Sequence, residues 1–147
     1  MKITYNIYNN TPPENMTNDV VNLYNKIFDV TSDDLMNKVQ QKSNVMFHLA
    51  IADDKVIGFK IGYELNEKKF YSWLGGVDPN YRKHGIASKL IEQQHQYLRE
   101  HGYEVVQTKT MNRWRGMLLL NIKSGFDVIE TYTDNKGLHK IVLEKTL

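Results

Sequence analysis

Apolar and polar positions alternate at the start of the chain, where Ile3, Tyr5 and Ile7 are separated by single polar residues, and this predicts a half-buried strand that ends before Pro12-Pro13. The period then changes. Val20, Val21, Tyr24, Ile27 and Phe28 recur at helical spacing and predict a helix over Glu14 to Phe28. Asp29 to Ser32 interrupts that pattern, and Thr31 with Asp34 three residues on resembles a capping box for a short second helix ending near Gln41. From Val45 the period is two again: Phe47, Leu49 and Ile51, a turn at Asp53-Asp54-Lys55, then Ile57, Phe59, Ile61, Tyr63 and Leu65 form a hairpin. After a turn at Asn66-Glu67-Lys68, a third strand runs from Lys69 to Val77 and stops before Pro79. Its Gly75-Gly76 pair implies either a bulge or the close approach of another group.

The clearest helix covers Ile86 to His101, with Ile86, Leu90, Ile91, Tyr97 and Leu98 on one side and Gly102 at its C-terminal cap. A strand from Val105 to Thr108 follows, then a helix opened by Asn112 and running to Ser124, with Gly125 beyond it. Phe126 to Tyr132 and Leu138 to Leu143 alternate as two last strands around Asp134-Asn135-Lys136-Gly137. The predicted order is β-α-α-β-β-β-α-β-α-β-β, an α/β chain of the α+β kind with a mixed sheet. No repeat or Gly/Ser linker divides it, so residues 1–147 are expected to form one domain.

Composition narrows the function. With 41% hydrophobic and 11% aromatic residues and 3 prolines among 147 residues, the chain falls outside the disordered and low-complexity classes. The absence of cysteine excludes a disulfide scaffold, a thiolate zinc site and a cysteine nucleophile. A net charge of +2 is too small to indicate a nucleic-acid binder. The first residues contain no apolar signal core and no apolar run exceeds four residues, so a soluble cytoplasmic protein with no membrane partner is expected. The five histidines lack metal-ligand spacing, and no Gly-Lys-Ser/Thr follows a glycine-rich loop, so neither metal nor nucleoside-triphosphate chemistry is expected.

The informative segment is Val77-Asp78-Pro79-Asn80-Tyr81-Arg82-Lys83-His84-Gly85-Ile86-Ala87, which joins a strand end to a helix start. The first turn of a helix has N–H groups without intrahelical acceptors and a partial positive charge, so an anion there meets donors and a favourable field. Arg82, Lys83 and His84 add cationic donors, and Gly85 has no side chain to hold a phosphate away. A solvated basic loop with a turn glycine is the simpler alternative.

Arg82, Gly85 and Ala87 resemble motif A of the GNAT superfamily of acyl-CoA-dependent N-acyltransferases, and Lys123-Ser124-Gly125-Phe126 is similar to the end of its motif B. With the element order, the resemblance extends over nearly the whole chain, although the first 45 residues match only in pattern. It implies a GNAT-like fold and acetyl-CoA as cosubstrate. The pantetheine arm would lie where the strands Lys69 to Val77 and Val105 to Thr108 part. Main-chain groups near Gly76 and Val77 would hold its amides, and the loop N–H groups from Lys83 through His84, Gly85 and Ile86 to Ala87 would hold the pyrophosphate. The implied reaction is transfer of acetyl to the primary amine of a small molecule or peptide by direct attack in a ternary complex, by a monomer or homodimer.

Asn112 stands where the family often has a polar residue near the pantetheine, and it is equally readable as an N-cap. Asn121 departs from the family, many of whose enzymes have at this place a tyrosine that protonates the departing thiolate; an amide is no general acid at neutral pH. It shares a stripe with Trp114, Met117 and Leu118, so a structural asparagine is the alternative to one facing ligand. Glu64 and His48 are candidate general bases, and Tyr132 is a candidate proton donor. Asp29, Asp33 and Asp34 lie where the fold usually shapes the acceptor site and would favour a cationic amine, or else complement their own helix. Two readings from other classes compete: a non-catalytic acyl-CoA-binding module, and an RNA-binding sheet stacking bases on Tyr71 and Trp73.

Overall fold

A computed structural model describes residues 2–31 and 34–147. Strand β1 (Thr4–Asn9) is followed by helices α1 (Glu14–Phe28) and α2 (Leu35–Gln40) and by strands β2 (Met46–Ala52), β3 (Lys55–Glu64) and β4 (Lys69–Val77). A 3-10 turn (Pro79–Tyr81) leads into α3 (Ile86–Glu100), and β5 (Val105–Thr110), α4 (Arg115–Lys123), β6 (Asp127–Thr133) and β7 (His139–Thr146) complete the chain. The order matches the expectation, with the 3-10 turn added. The strands make one seven-stranded sheet in the order β1-β2-β3-β4-β5-β7-β6, and the β4–β5 pair is parallel while every other pair is antiparallel. Among the described residues no helix is long and apolar enough to cross a membrane.

Both faces of the sheet are covered. α1 and α2 bury Val20, Leu23, Leu35 and Val39 against Phe47, Leu49, Phe59 and Ile61. On the opposite face, Ile86 and Leu90 of α3 pack on Ala50 and Val77, and Leu98 packs on Met46, Phe70, Val106 and Leu143. These clusters follow from the two periods: alternate strand residues meet the stripe that each helix turns inward.

Three local expectations are corrected. The irregularity between β3 and β4 falls between Ile61 and Gly62, opposite Trp73, and not at Gly75-Gly76. Asn112 does not open a helix: it lies in a turn closed by Trp114 N–H on Met111 O at 3.0 Å, and the helical ladder starts with Leu118 N–H on Trp114 O. For the capping box, Ser32 and Asp33 lie outside the described residues. Asp34 occupies the N-cap of α2, but with helical backbone angles (φ −78°, ψ −14°) and no side-chain cap bond, because an N-cap carboxylate reaches back to the helix from an extended backbone.

Candidate active site

β4 and β5 pair from Lys69↔Val105 to Ser72↔Thr108, where the Thr108 hydroxyl donates to Ser72 O at 2.8 Å. Beyond that rung each strand keeps its other partner, β4 with β3 as far as Val77↔Gly58 and β5 with β7 as far as Thr110↔Ile141. The sheet therefore opens between them. Two cavities of about 470 and 420 Å³ occupy the region, and Lys60, Gly75 and Met117 line both.

The first cavity runs from the end of β4 past the basic loop to α3, with Gly116, Met117 and Leu120 of α4 opposite. Asp78 shapes the loop: its carboxylate accepts from Asn80 N–H at 3.0 Å and from the Lys26 ammonium at 3.4 Å. Lys83 (φ +66°) and Gly85 (φ +74°) are both left-handed, and Gly85 is the N-cap of α3, a backbone that L side chains adopt only with strain. The ladder of α3 begins with Lys89 N–H on Gly85 O at 3.0 Å, which leaves the N–H groups of Ile86, Ala87 and Ser88 without intrahelical acceptors. No acidic side chain stands in that first turn to occupy them.

Main-chain direction can be read at the strand end. Asp78 N–H donates to Ile57 O at 2.7 Å, so with the two-residue alternation of a strand the groups of Gly76 face β3 and those of Gly75 and Val77 face the gap. The Arg82 side chain folds back and donates from Nε to Val77 O at 3.3 Å. A Cβ at Gly76 would stand 2.7 Å from Ile27 Cδ1 of α1, so a larger residue there requires the end of that side chain to shift.

The second cavity lies on the other side of the gap, among Tyr71, Trp73, Trp114 and Tyr132, with Lys60, Lys109 and Lys140 in its wall. Among the described residues no aspartate or glutamate lines it. The Lys109 ammonium donates to the Tyr132 hydroxyl at 3.2 Å and lies over its ring. Lys60 is 7% exposed, and burial pushes its ammonium down to about 8. Burial likewise raises the Tyr71 phenol.

Of the expected residues, Gly76, Val77, Arg82, Lys83, Gly85, Ile86 and Ala87 line the first cavity, and Asn121 and Tyr132 line the second. His84 is exposed and outside both, since the left-handed turns on either side of it carry it away, and Asn112 is exposed on its turn. His48 is fully buried between the sheet and α3, and burial, with the charge of Lys60, holds its imidazole down to about 4. It lines neither cavity. Glu64 sits at the far end of β3 and accepts from the Tyr103 hydroxyl at 2.7 Å. Asp29 caps α1 and, with Asp34, lines neither cavity; Asp33 lies outside the described residues.

The reading from sequence missed Lys60. A lysine between apolar Phe59 and Ile61 reads as the wet face of a half-buried strand, and only coverage of both sheet faces buries it. Gly116 and Leu120 lie off the stripe of Trp114, Met117, Leu118 and Asn121, so the sequence pattern does not mark them.

The model of the Acetyltransferase (GNAT) family matches residues 14–114, more than half of the chain. The chain belongs to the GNAT acetyltransferase family. No curated protein matches the sequence. Solved structures agree on the fold. A GNAT family acetyltransferase from Elizabethkingia anophelis with acetyl-CoA bound is 19% identical with a TM-score of 0.75, covering 99% of this chain and 98% of that one. The ribosomal-protein-S18-alanine N-acetyltransferase from Escherichia coli is 14% identical with a TM-score of 0.79, covering 97% of this chain and 94% of that one. A GNAT family acetyltransferase from Staphylococcus aureus Mu50 is 17% identical with a TM-score of 0.79, covering 98% and 99%.

Proposed function

We propose that this GNAT chain is an acetyl-CoA-dependent N-acetyltransferase, which holds acetyl-CoA in the first cavity and receives a primary amine from the second. The observation that carries the reading is the gap between β4 and β5, with the two cavities meeting across it at Lys60, Gly75 and Met117. The first cavity fits the cosubstrate: it joins free helix N–H groups and two cations at one end to apolar walls and unpaired strand groups at the other. When bound, acetyl-CoA supplies an acyl group activated as a thioester.

Ile86, Ala87 and Ser88 N–H, with the Lys83 ammonium and the guanidinium nitrogens of Arg82 left free by Val77 O, would hold the pyrophosphate. The main-chain groups of Gly75 and the N–H of Val77 would bind the pantetheine amides and polarise the thioester carbonyl. Attack is direct, from an amine in the second cavity. Asn121 contributes no proton. Tyr132 accepts from Lys109, so its own O–H remains free to donate, and it is the retained candidate for returning a proton to the thiolate. Mixing the protein with acetyl-CoA and a panel of amines should release free thiol in step with N-acetylated product. Binding of acetyl-CoA with no turnover of any amine would support the non-catalytic acyl-CoA-binding reading instead.

A further inference from the structure

The charge and shape of the second cavity define the acceptor, an inference that rests on reading this cavity as the acceptor site. Its three cations come from three strands: Lys60 from β3, Lys109 from β5 and Lys140 from β7. Among the described residues none of the three is in a salt bridge, and no carboxylate lines the wall. Lys60 is nine-tenths buried and lines both cavities, and His48 and His95, the titratable groups of β2 and α3 that feel its charge, are both held neutral by burial. The wall also carries five aromatic side chains, Phe28, Tyr71, Trp73, Trp114 and Tyr132, among them both tryptophans of the chain, beside smaller polar and aliphatic residues.

We propose that the acceptor is a small amine that also carries an anion, in the simplest case a carboxylate, on a planar apolar body. An acceptor that is only cationic would be repelled by three ammonium groups with no carboxylate among the described lining residues to offset them. One bearing a carboxylate gains charge-assisted hydrogen bonds from the same lysines. Its planar body stacks among Trp73, Trp114 and Tyr71. The positive wall has a second effect, since it lowers the pKa of the bound amine and so favours the neutral form that attacks. The cavity volume of about 420 Å³ suits a molecule of this size.

Two pairs of probes matched in shape test this: 4-(aminomethyl)benzoate against 4-(aminomethyl)benzamide, and L-phenylalanine against L-phenylalaninamide. Because both tryptophans line the cavity, their fluorescence reports occupancy without any turnover. In at least one pair the carboxylate should bind about tenfold more tightly than its amide, the size of one charge-assisted contact, and spermidine should not bind. Lys109→Glu with Lys140→Glu should reverse that preference. Should the double variant fail to fold, Lys109→Gln and Lys140→Gln alone should each reduce it. Equal binding within both pairs, no response to any probe, or a preference unchanged in the variants overturns the proposal. A calorimetric titration with acetyl-CoA reads the underlying function separately: its failure with carboxylate binding intact would sink the acetyltransferase reading alone.

Discussion

Beneath α1 and α2 the sheet is closed by Val20, Leu23, Leu35, Val39, Phe47, Leu49 and Ile61, all apolar. On the side of α3 and α4, His48, Lys60, Ser72 and Thr108 of the sheet are buried together with Gln94 and His95 of α3 and Asn121 of α4. Both ring nitrogens of His48, both amide atoms of Gln94 and the Ser72 hydroxyl have no protein partner among the described residues. The first face supplies stability by burial. The second gives up part of it, since an unmatched buried polar group costs about 1–3 kcal/mol, while the gap between β4 and β5 opens toward both faces, the second cavity also touching Phe28, Trp73 and Leu74 of the first.

The largest effect that separates the two faces should come from Phe47→Ala, which empties a fully buried position on the apolar face. Denaturant unfolding should show a loss of about 3–5 kcal/mol at every pH. On the polar face the effect should depend on pH. Burial holds His48 and His95 down to about 4 and about 3 from an ordinary 6.5, so as the pH falls the unfolded chain takes up protons before the folded one does. Stability should therefore decline from about pH 6.5 toward pH 4 and 3, by ~1.4 kcal/mol per pH unit for each histidine. His48→Leu should change stability by less than about 1 kcal/mol at pH 8, where neither form carries a charge, and make the acid decline shallower. An unchanged slope would place the acid sensitivity elsewhere.

Lys60→Met sharpens the contrast further. Removing an ammonium that is in no salt bridge among the described residues should leave stability unchanged or raise it slightly at pH 7 while weakening carboxylate binding in the second cavity, whereas loss of a paired charge would destabilise by ~3 kcal/mol or more. The smallest expected effect is that of Asn121→Ala. Its main-chain carbonyl, which accepts from Ser124 and Phe126 N–H, survives the change. The kcat of thiol release should fall by much less than ~10³, since an amide supplies no general-acid contribution; a greater fall with acetyl-CoA affinity intact would give Asn121 a role in the transition state.

What the sequence revealed follows the same division. Where one period ran unbroken, as over Ile86 to Leu98 or Phe47 to Ile51, elements and buried faces were legible. The loop from Arg82 to Ala87 was legible because glycine, basic residues and a helix start coincide there. The second cavity was not, since it is assembled from α1, β3, β4, β5, α4, β6 and β7, and no local spacing records that Lys60, Lys109 and Lys140 converge. Glu64 and His48 were plausible bases by chemistry alone, and the tertiary pairing took both away, one to Tyr103 and the other beneath α3. Asn112 misled because a good N-cap residue preceded a helix whose first turn lies three residues later.

The most direct test of the account is calorimetric titration of acetyl-CoA into the parent protein, Gly85→Val and Gly102→Val. Gly85 and Gly102 share a left-handed backbone, φ +74° and +86°, and a Cβ at either meets nothing within 4 Å, so the two variants carry comparable strain in opposite ends of α3. The account predicts that the parent and Gly102→Val bind alike, while Gly85→Val, folded by circular dichroism, binds at least ~100-fold more weakly because two or more charge-assisted contacts to the pyrophosphate are lost. Undiminished binding by folded Gly85→Val would contradict the assignment of the Arg82 to Ala87 loop as the cosubstrate site.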